Sequence, residues 1–336
     1  MTRVITIPDL RRLIQEISLQ DFMRMLIEQL QRDFSRWHEF SRSPRHATHF
    51  AHGVIELMPI SDQTYYTFKY VNGHPGNPAH GKLNVVALGV LADVSSGYPL
   101  MVSEMTLLTA LRTAATSALA SRYLAPKGAK TFGIIGTGAQ SEFQVLAHHV
   151  ALGVDEVYYY DLDAHAMEKF ARNLAPYSLA LHRCSNSSEV AAKSAILTTA
   201  TAAKTKTQVL SAAQVKPGIH INGIGGDCPG KTELDPQLTG RCKIVVELIE
   251  QTRIEGEIQN LPAGGVYAEL WELASGKKPG RTSADEITLF DSVGFALEDY
   301  SALRLVHKLA ETHSCGQQLE LIPELQDPKD LFSQLT

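Results

Sequence analysis

The stretch GGDCPGK, residues 225–231, sets one carboxylate, Asp227, among three glycines and a proline, just after the apolar run IHINGI. Glycine lets a backbone take positive φ or come close to a ligand, and Pro229 can continue neither a strand nor a helix. An acid at the end of a buried strand, followed by such a turn, sits where open α/β sheets bind ligands. A plain surface turn is the alternative reading of this stretch alone.

A second chemistry-bearing segment is GIIGTGAQSEF, which follows a predicted strand and opens a predicted helix. Gly136 and Gly138 fill the first two positions of a GxGxxG pattern, with Ser141 at the third. The first glycine makes the tight turn, and the second lets the backbone approach a pyrophosphate at a helix N-terminus. Ser141 departs from Gly or Ala but is small enough for close helix–strand packing. Asp161 ends the next strand, about 25 residues after the first glycine, placed to bond a ribose 2′-hydroxyl. Its charge would repel a 2′-phosphate, and the LDAHA that follows offers no cation, so NAD is favoured over NADP. A helix N-cap is the other role open to Asp161.

Hydride chemistry also needs groups to hold a substrate. Lys69 and Glu56 each interrupt an apolar, strand-like run; such a charge either faces water or enters a cleft with partners, since burying it unpaired is costly. Arg112 is the one charge between Glu104 and Arg122, on a helix of Ala, Leu, Thr and Ser. A lone guanidinium there suits a bidentate grip on a carboxylate. With Arg45, the set suggests a small anionic substrate that also carries amines, with Asp227 and Glu56 meeting ammonium groups. His49, His52, His74 and His80 fit no metal motif and read as turn or surface residues, so no metal is expected.

The elements that must position these groups fall into three zones. Residues 1 to about 103 mix a helical start with strand-like runs (GVIELMPI, TYYTFKYV, VVALGVLADV) between turns, an α+β unit with hairpins. A long helical run of small residues follows and ends at Pro126 and Gly128. Strands then alternate with helices (KTFGIIG, EVYYYD, AILTTAT, SAAQV, IHINGIG, KIVVE, ITLF), which predicts a parallel, doubly wound sheet. A closing helix, FALEDYSALRLVHKLAETH, leads to an irregular tail.

A chain of 336 residues allows two domains and a sizeable core. The formal net charge of −5, with no Lys/Arg block, argues against nucleic-acid binding. No apolar run is long enough to span a bilayer and no leader is evident. Four scattered cysteines without CxxC spacing suggest a reducing cytoplasm.

Taken together, RWHEF, GVIELMPI, FKYVNGHP, GVLADVSSGYPL, ALRTAATS, GAQSEFQ, GGDCPGKTEL, QTRIEGEIQ, FDSVGFALEDYSALR and DPKDLF resemble the ornithine cyclodeaminase/μ-crystallin family along essentially the whole chain. KYVNGHP and GGDCPGKTEL resemble its cyclodeaminase branch. The resemblance implies a homodimer, with a Rossmann-type NAD-binding domain over 116–304 and a substrate-binding and dimerisation domain over 1–115 and 305–336. It implies conversion of L-ornithine to L-proline and ammonia, with NAD regenerated in each turnover. Arg45, Lys69 and Arg112 would surround the substrate carboxylate, Asp227 would be the acid/base at the side-chain amine, and Glu56 would handle protons at the α-amine. Val293 would line the substrate pocket. Ala139 and Gln140 would contact the pyrophosphate and Asp161 the adenosine ribose; Ser117, Thr201, Ile224, Gly225, Gly226, Lys231 and Ser292 would hold the remainder, with Arg112 serving both ligands. Where relatives carry Thr beside the nicotinamide, this chain has Asn84. A lysine cyclodeaminase, an NAD-linked imine reductase or amino-acid dehydrogenase, and a non-catalytic binder are the competing readings.

Overall fold

The computed structural model describes residues 1–201, 208–226, 228–262 and 264–335. Among these residues, two eight-stranded sheets organise the fold. The first runs Gln317–Leu319, Thr2–Ile5, Pro99–Glu104, Ala87–Asp93, Tyr65–Gly73, Gly53–Ser61 and Ser41–Arg42, with His46–Phe50 also pairing to Gly53–Ser61. Thr2–Ile5 and Pro99–Glu104 pair in parallel, and the other neighbours are antiparallel.

Side chains alternate across this sheet, as strand geometry requires. Met58 faces Lys69 in register, and Glu56 faces Val71. Glu56, Met58, Ile60, Thr67, Lys69 and Val71 are all buried, while Leu57, between Glu56 and Met58, and Tyr66, next to Thr67, are exposed. The two strand charges therefore lie on the covered face, which decides between the alternatives the sequence left open: they enter the interior with partners.

The second sheet is wholly parallel. Its order is Ala180–Arg183, Glu156–Tyr160, Thr131–Ile135, Ile196–Thr199, His220–Gly223, Thr288–Asp291, Lys243–Val246, Ala268–Glu269. The strand order reverses direction between Thr131–Ile135 and Ile196–Thr199, the switch point at which doubly wound sheets open a crevice. Apolar cores cover both faces: Phe132 and Ile134 join Val145 and Phe170, whereas Ile135 joins Val190 and Ile221. That double cover is why these strands read as continuous apolar runs.

Two details depart from the sequence reading. SAAQV forms only a single 3₁₀ turn, Ala212–Gln214, because Pro217 follows too closely for an α-helix to continue. The edge strand Ala180–Arg183 and the short helix Ser187–Lys193 carry too few apolar residues to stand out.

Three helices join the sheets. Leu19–Ser35 starts at Ser18, whose hydroxyl accepts the Asp21 N–H, and buries Phe22, Leu26, Leu30 and Phe34 at helical spacing. Thr106–Leu124 is buried almost all round, so its small residues let neighbours approach closely. A polar network beneath it, fully buried, ties helices to strands: His148 Nε2 lies 2.9 Å from Ser121 Oγ, and Asn222 Nδ2 lies 3.2 Å from His148 Nε2. It continues through Asn222 Oδ1 and His220 Nε2, at 3.1 Å, to His220 Nδ1 and Thr288 Oγ1, at 2.9 Å. The Ala296–Thr312 helix returns from the second sheet to pack on strands Gly53–Ser61, Tyr65–Gly73 and Ala87–Asp93 of the first. It thereby carries Glu298 and Asp299 into the region between the sheets.

Candidate active site

At the carboxyl end of Thr131–Ile135, Gly136 has φ +99°, and a Cβ there would meet Ala200 O at 2.5 Å. Both facts require glycine. Gly138 and Ala139 are exposed, and a Cβ on Gly138 would meet open space. The Ser141–Leu152 helix begins at Gln140 with no side-chain cap; its Ser141 N–H donates to Gly138 O at 3.2 Å, and the positive end of the helix dipole faces the turn, where it favours an anion. Ser141, buried, donates its hydroxyl to Gly138 O at 2.8 Å and so braces the turn.

Asp161 Oδ2 accepts the Thr137 N–H at 2.6 Å, and Oδ1 accepts the Asp163 N–H at 2.9 Å. The helix Ala164–Leu174 is capped by Asp163 instead, which removes the N-cap role as an explanation of Asp161. Lys169 reaches back from that helix to Thr137 O at 2.8 Å and Glu142 Oε1 at 2.9 Å. Gln140 Oε1 and Asn84 Oδ1 are buried and accept no hydrogen bond. Exposed glycine, uncapped helix, well-placed acid and the orphaned Gln140 oxygen together fit a dinucleotide laid across the switch point.

The second cluster gathers around the loop after Thr288–Asp291. Arg45 bonds Glu56 Oε2 at 3.0 Å, Val293 O at 2.6 Å and Gly294 O at 2.7 Å, and its Nε lies 3.3 Å from Glu255 Oε2. Glu247 accepts the Ser292 hydroxyl at 2.6 Å and the Gly294 N–H at 3.2 Å. Arg112 pairs with Glu298, and its Nε lies 3.1 Å from Asp299. Asp299 also holds Lys69 at 2.8 Å.

Burial lowers the Lys69 ammonium to about 8, with Arg112 adding repulsion and Asp299 opposing both. Burial raises Glu298 to about 8, outweighing the pull of Arg112, and Glu247 and Asp299 push it further up. Burial also raises Glu247, against its hydrogen bonds. Burial thus makes Glu298 and Glu247 weaker acids than exposed carboxyls, while Arg45, Lys69 and Arg112 bring three cationic side chains to the same cluster. Such a cluster can receive an anionic ligand.

Arg45, Glu56, Lys69, Arg112, Ser292 and Val293 thus come together, and Gly136, Gly138, Ala139, Gln140 and Asp161 form a second group. Thr201 adjoins the latter, its N–H donating to Glu233 Oε1 at 2.8 Å. Ile224, Gly225 and Gly226 follow His220–Gly223 at the same end of the sheet. Ser117 is buried and donates to Thr113 O within its own helix, at 3.1 Å. Asp227 lies outside the described residues. Sequence reading passed over Glu247, Glu255, Glu298 and Asp299; the adjacent acids inside the apolar FALEDYSAL were the available signal.

Fold and site define an α/β protein with a Rossmann-type, doubly wound sheet and a buried, charge-rich cluster beside the loop that follows strand Thr288–Asp291. The sequence profile of the ornithine cyclodeaminase/mu-crystallin family matches residues 9–314, and the chain belongs to that family. An ornithine cyclodeaminase of Agrobacterium fabrum is 48% identical over 331 residues, 98% of this chain and 94% of the relative. A lysine cyclodeaminase, solved for its recognition of L-lysine, L-ornithine and L-2,4-diaminobutyric acid, superposes with a TM-score of 0.91 at 29% identity, covering 98% of each chain. An archaeal alanine dehydrogenase dimer with bound NAD superposes at 0.87, with 32% identity over 96% of this chain and 99% of the other.

Proposed function

We propose that the protein is an ornithine cyclodeaminase that converts L-ornithine to L-proline and ammonia with NAD as a regenerated cofactor. The observation that carries this reading is the convergence of Arg45, Lys69 and Arg112 with Glu56 on the Val293–Gly294 region at the carboxyl end of a dinucleotide-type sheet. The 48% identity to an ornithine cyclodeaminase, against 29% to a lysine cyclodeaminase, favours the shorter diamine.

In this reading Arg45, Lys69 and Arg112 bind the substrate carboxylate, and Val293 lines the pocket. Gly136, Gly138, Ala139 and Gln140 hold the pyrophosphate, Asp161 the adenosine ribose, and Asn84, Ser117, Thr201, Ile224, Gly225, Gly226, Lys231 and Ser292 the rest, with Arg112 shared. NAD, when bound, would supply the reversible hydride acceptor and donor that the overall redox-neutral conversion needs. Glu56 takes a proton from the α-amine as Cα is oxidised to the imine. Asp227 takes the δ-ammonium proton, so that the neutral amine can attack the imine carbon and close a five-membered ring. It would then return a proton to the departing α-nitrogen, which leaves as ammonia. Holding both ends of the substrate makes ring closure intramolecular, an advantage that can reach roughly 7–11 kcal/mol.

The protein acts as a homodimer, residues 1–115 and 305–336 forming the substrate-binding and dimerising unit and 116–304 the nucleotide unit. Among the described residues no helix is long and apolar enough to cross a membrane. The unbridged thiols of Cys184 and Cys315 suit a reducing cytoplasm.

The test is incubation of the full chain with ornithine and catalytic NAD, measuring proline and ammonia together. Equal yields of both without net NADH are expected; lasting NADH would turn the assignment to a dehydrogenase, and pipecolate formed from lysine in preference to proline from ornithine would turn it to the lysine enzyme. Asp227→Ala is expected to keep NAD binding and lose at least ~100-fold in proline formation, the lower range for acid–base groups.

A further inference from the structure

Three buried carboxylates run along the carboxyl end of the second sheet to the switch-point crevice. Asp291, at the end of strand Thr288–Asp291, accepts the N–H of Glu257 at 3.0 Å and of Ile258 at 2.9 Å. Glu257 in turn accepts the N–H of Glu233 at 2.7 Å and of Leu234 at 3.0 Å. Glu233 then accepts both the N–H and the hydroxyl of Thr201. Each acid grips the backbone that carries the next group, and the ladder ends at the crevice.

The glycines record the same arrangement. Gly225 does not take the left-handed φ that would explain it. A methyl there would instead overlap the Glu233 carboxylate, and one on Gly226 would stand 3.0 Å from Glu257 Oε1. Besides Thr201, the buried Thr199 hydroxyl interacts with the Glu233 carboxylate, so the end of the ladder is anchored to the last residue of strand Ile196–Thr199 beside the switch point. All three acids are nearly inaccessible, and burial raises Glu233 and Asp291 and brings Glu257 to about 7. A core needing only volume would fill this space with apolar side chains at lower cost.

We propose that Glu233 is a positioning residue for the dinucleotide, held by Glu257 and Asp291, and that it fixes Thr201 and the Gly225–Gly226 backbone against the bound nucleotide. This rests on the reading that those three residues contact NAD.

Direct titration of the full chain with NAD, without ornithine, tests it alongside thermal melts. Glu233→Ala should weaken NAD binding by at least ~10-fold, the scale of a lost hydrogen bond to a charged group, with a cooperative melt retained. Glu233→Gln keeps an oxygen for Thr201 and should stay within ~3-fold of the wild type. Gly225→Ala should weaken binding alone, yet in the Glu233→Ala background the methyl has room, so the double variant should bind no worse than Glu233→Ala. Should Glu233→Ala not fold, Glu233→Asp, which withdraws the carboxylate from Thr201, should show the same ~10-fold loss. Wild-type affinity in Glu233→Ala or Glu233→Asp, failure of Gln to rescue, or losses that multiply in the double variant would overturn the proposal. A wild-type protein that bound no NAD would instead overturn the cofactor reading.

Discussion

Lys69 Nζ stands 2.8 Å from Asp299 Oδ2, with both side chains 1% exposed, although the residues are 230 apart in sequence. A strand of the first sheet and the helix returning from the second are thus joined by a charge pair sealed from water. Removing one partner strands the other, a loss of about 3–5 kcal/mol for a buried pair. Asp299→Ala should therefore lose stability on that scale in urea unfolding. Lys69→Met combined with Asp299→Leu should lose less than the sum of the single changes, because the stranded Lys69 ammonium is removed as well, leaving only the lost contact of Arg112 with Asp299.

Nucleotide choice should follow Asp161. Its carboxylate is held by the Thr137 and Asp163 N–H groups, leaving lone pairs for a ribose diol and a negative charge facing any 2′-phosphate. Asp161→Ser should weaken NAD binding by roughly 10–100-fold, as for a lost charge-assisted hydrogen bond, and should improve NADP binding. Titrations with both nucleotides measure the crossover; an unchanged NAD/NADP ratio would remove Asp161 from the ribose site.

The doubly wound sheet was legible because doubly covered strands read as apolar runs, and the glycine turn because Gly136 needs positive φ. Arg112 stood out because a lone charge on a helix of small residues has no solvent-facing excuse. The acids that complete the site were harder to see. Glu298 and Asp299 come from a helix that crosses back to the other sheet, and only topology brings them to Lys69 and Arg112. Gly225 looked like a ligand-approach glycine, whereas its missing side chain makes room for Glu233, a contact across a loop that spacing alone does not reveal.

Acid sensitivity should centre on the polar network under the Thr106–Leu124 helix. Burial lowers His148 to about 4 and His220 to about 3, so both are neutral in the fold and must be charged to satisfy the unfolded chain at low pH. Between the unfolded histidine value near 6.5 and about 4, the unfolded state binds more protons, so stability rises with pH across that window and is lost as pH falls. Each histidine contributes about 1.4 kcal/mol per pH unit there. His148→Asn should flatten the difference in urea midpoint between pH 5 and pH 7; an unchanged slope would mean that His148 does not stay neutral in the fold.

The outer face of the first sheet predicts how copies associate. Leu57 is 45% exposed, Tyr66 40% and Leu88 55%, and Pro59 and Phe68 lie half-buried beside them. An apolar face of this kind on a stable sheet suits a contact surface, and in the proposed homodimer a second copy would cover it. Leu57 and Tyr66 alternate with Glu56 and Thr67 along their strands, so aspartate at both exposed positions would point away from the core and leave the fold standing. The Leu57→Asp/Tyr66→Asp variant should sediment as a monomer where the wild type sediments as a dimer. NAD affinity should change little, since the crevice lies on the other sheet. The KM for ornithine should rise, because Glu56 and Lys69 hang from the backs of the same two strands and lose their rigid support. Sedimentation identical to the wild type would show that the subunits meet elsewhere.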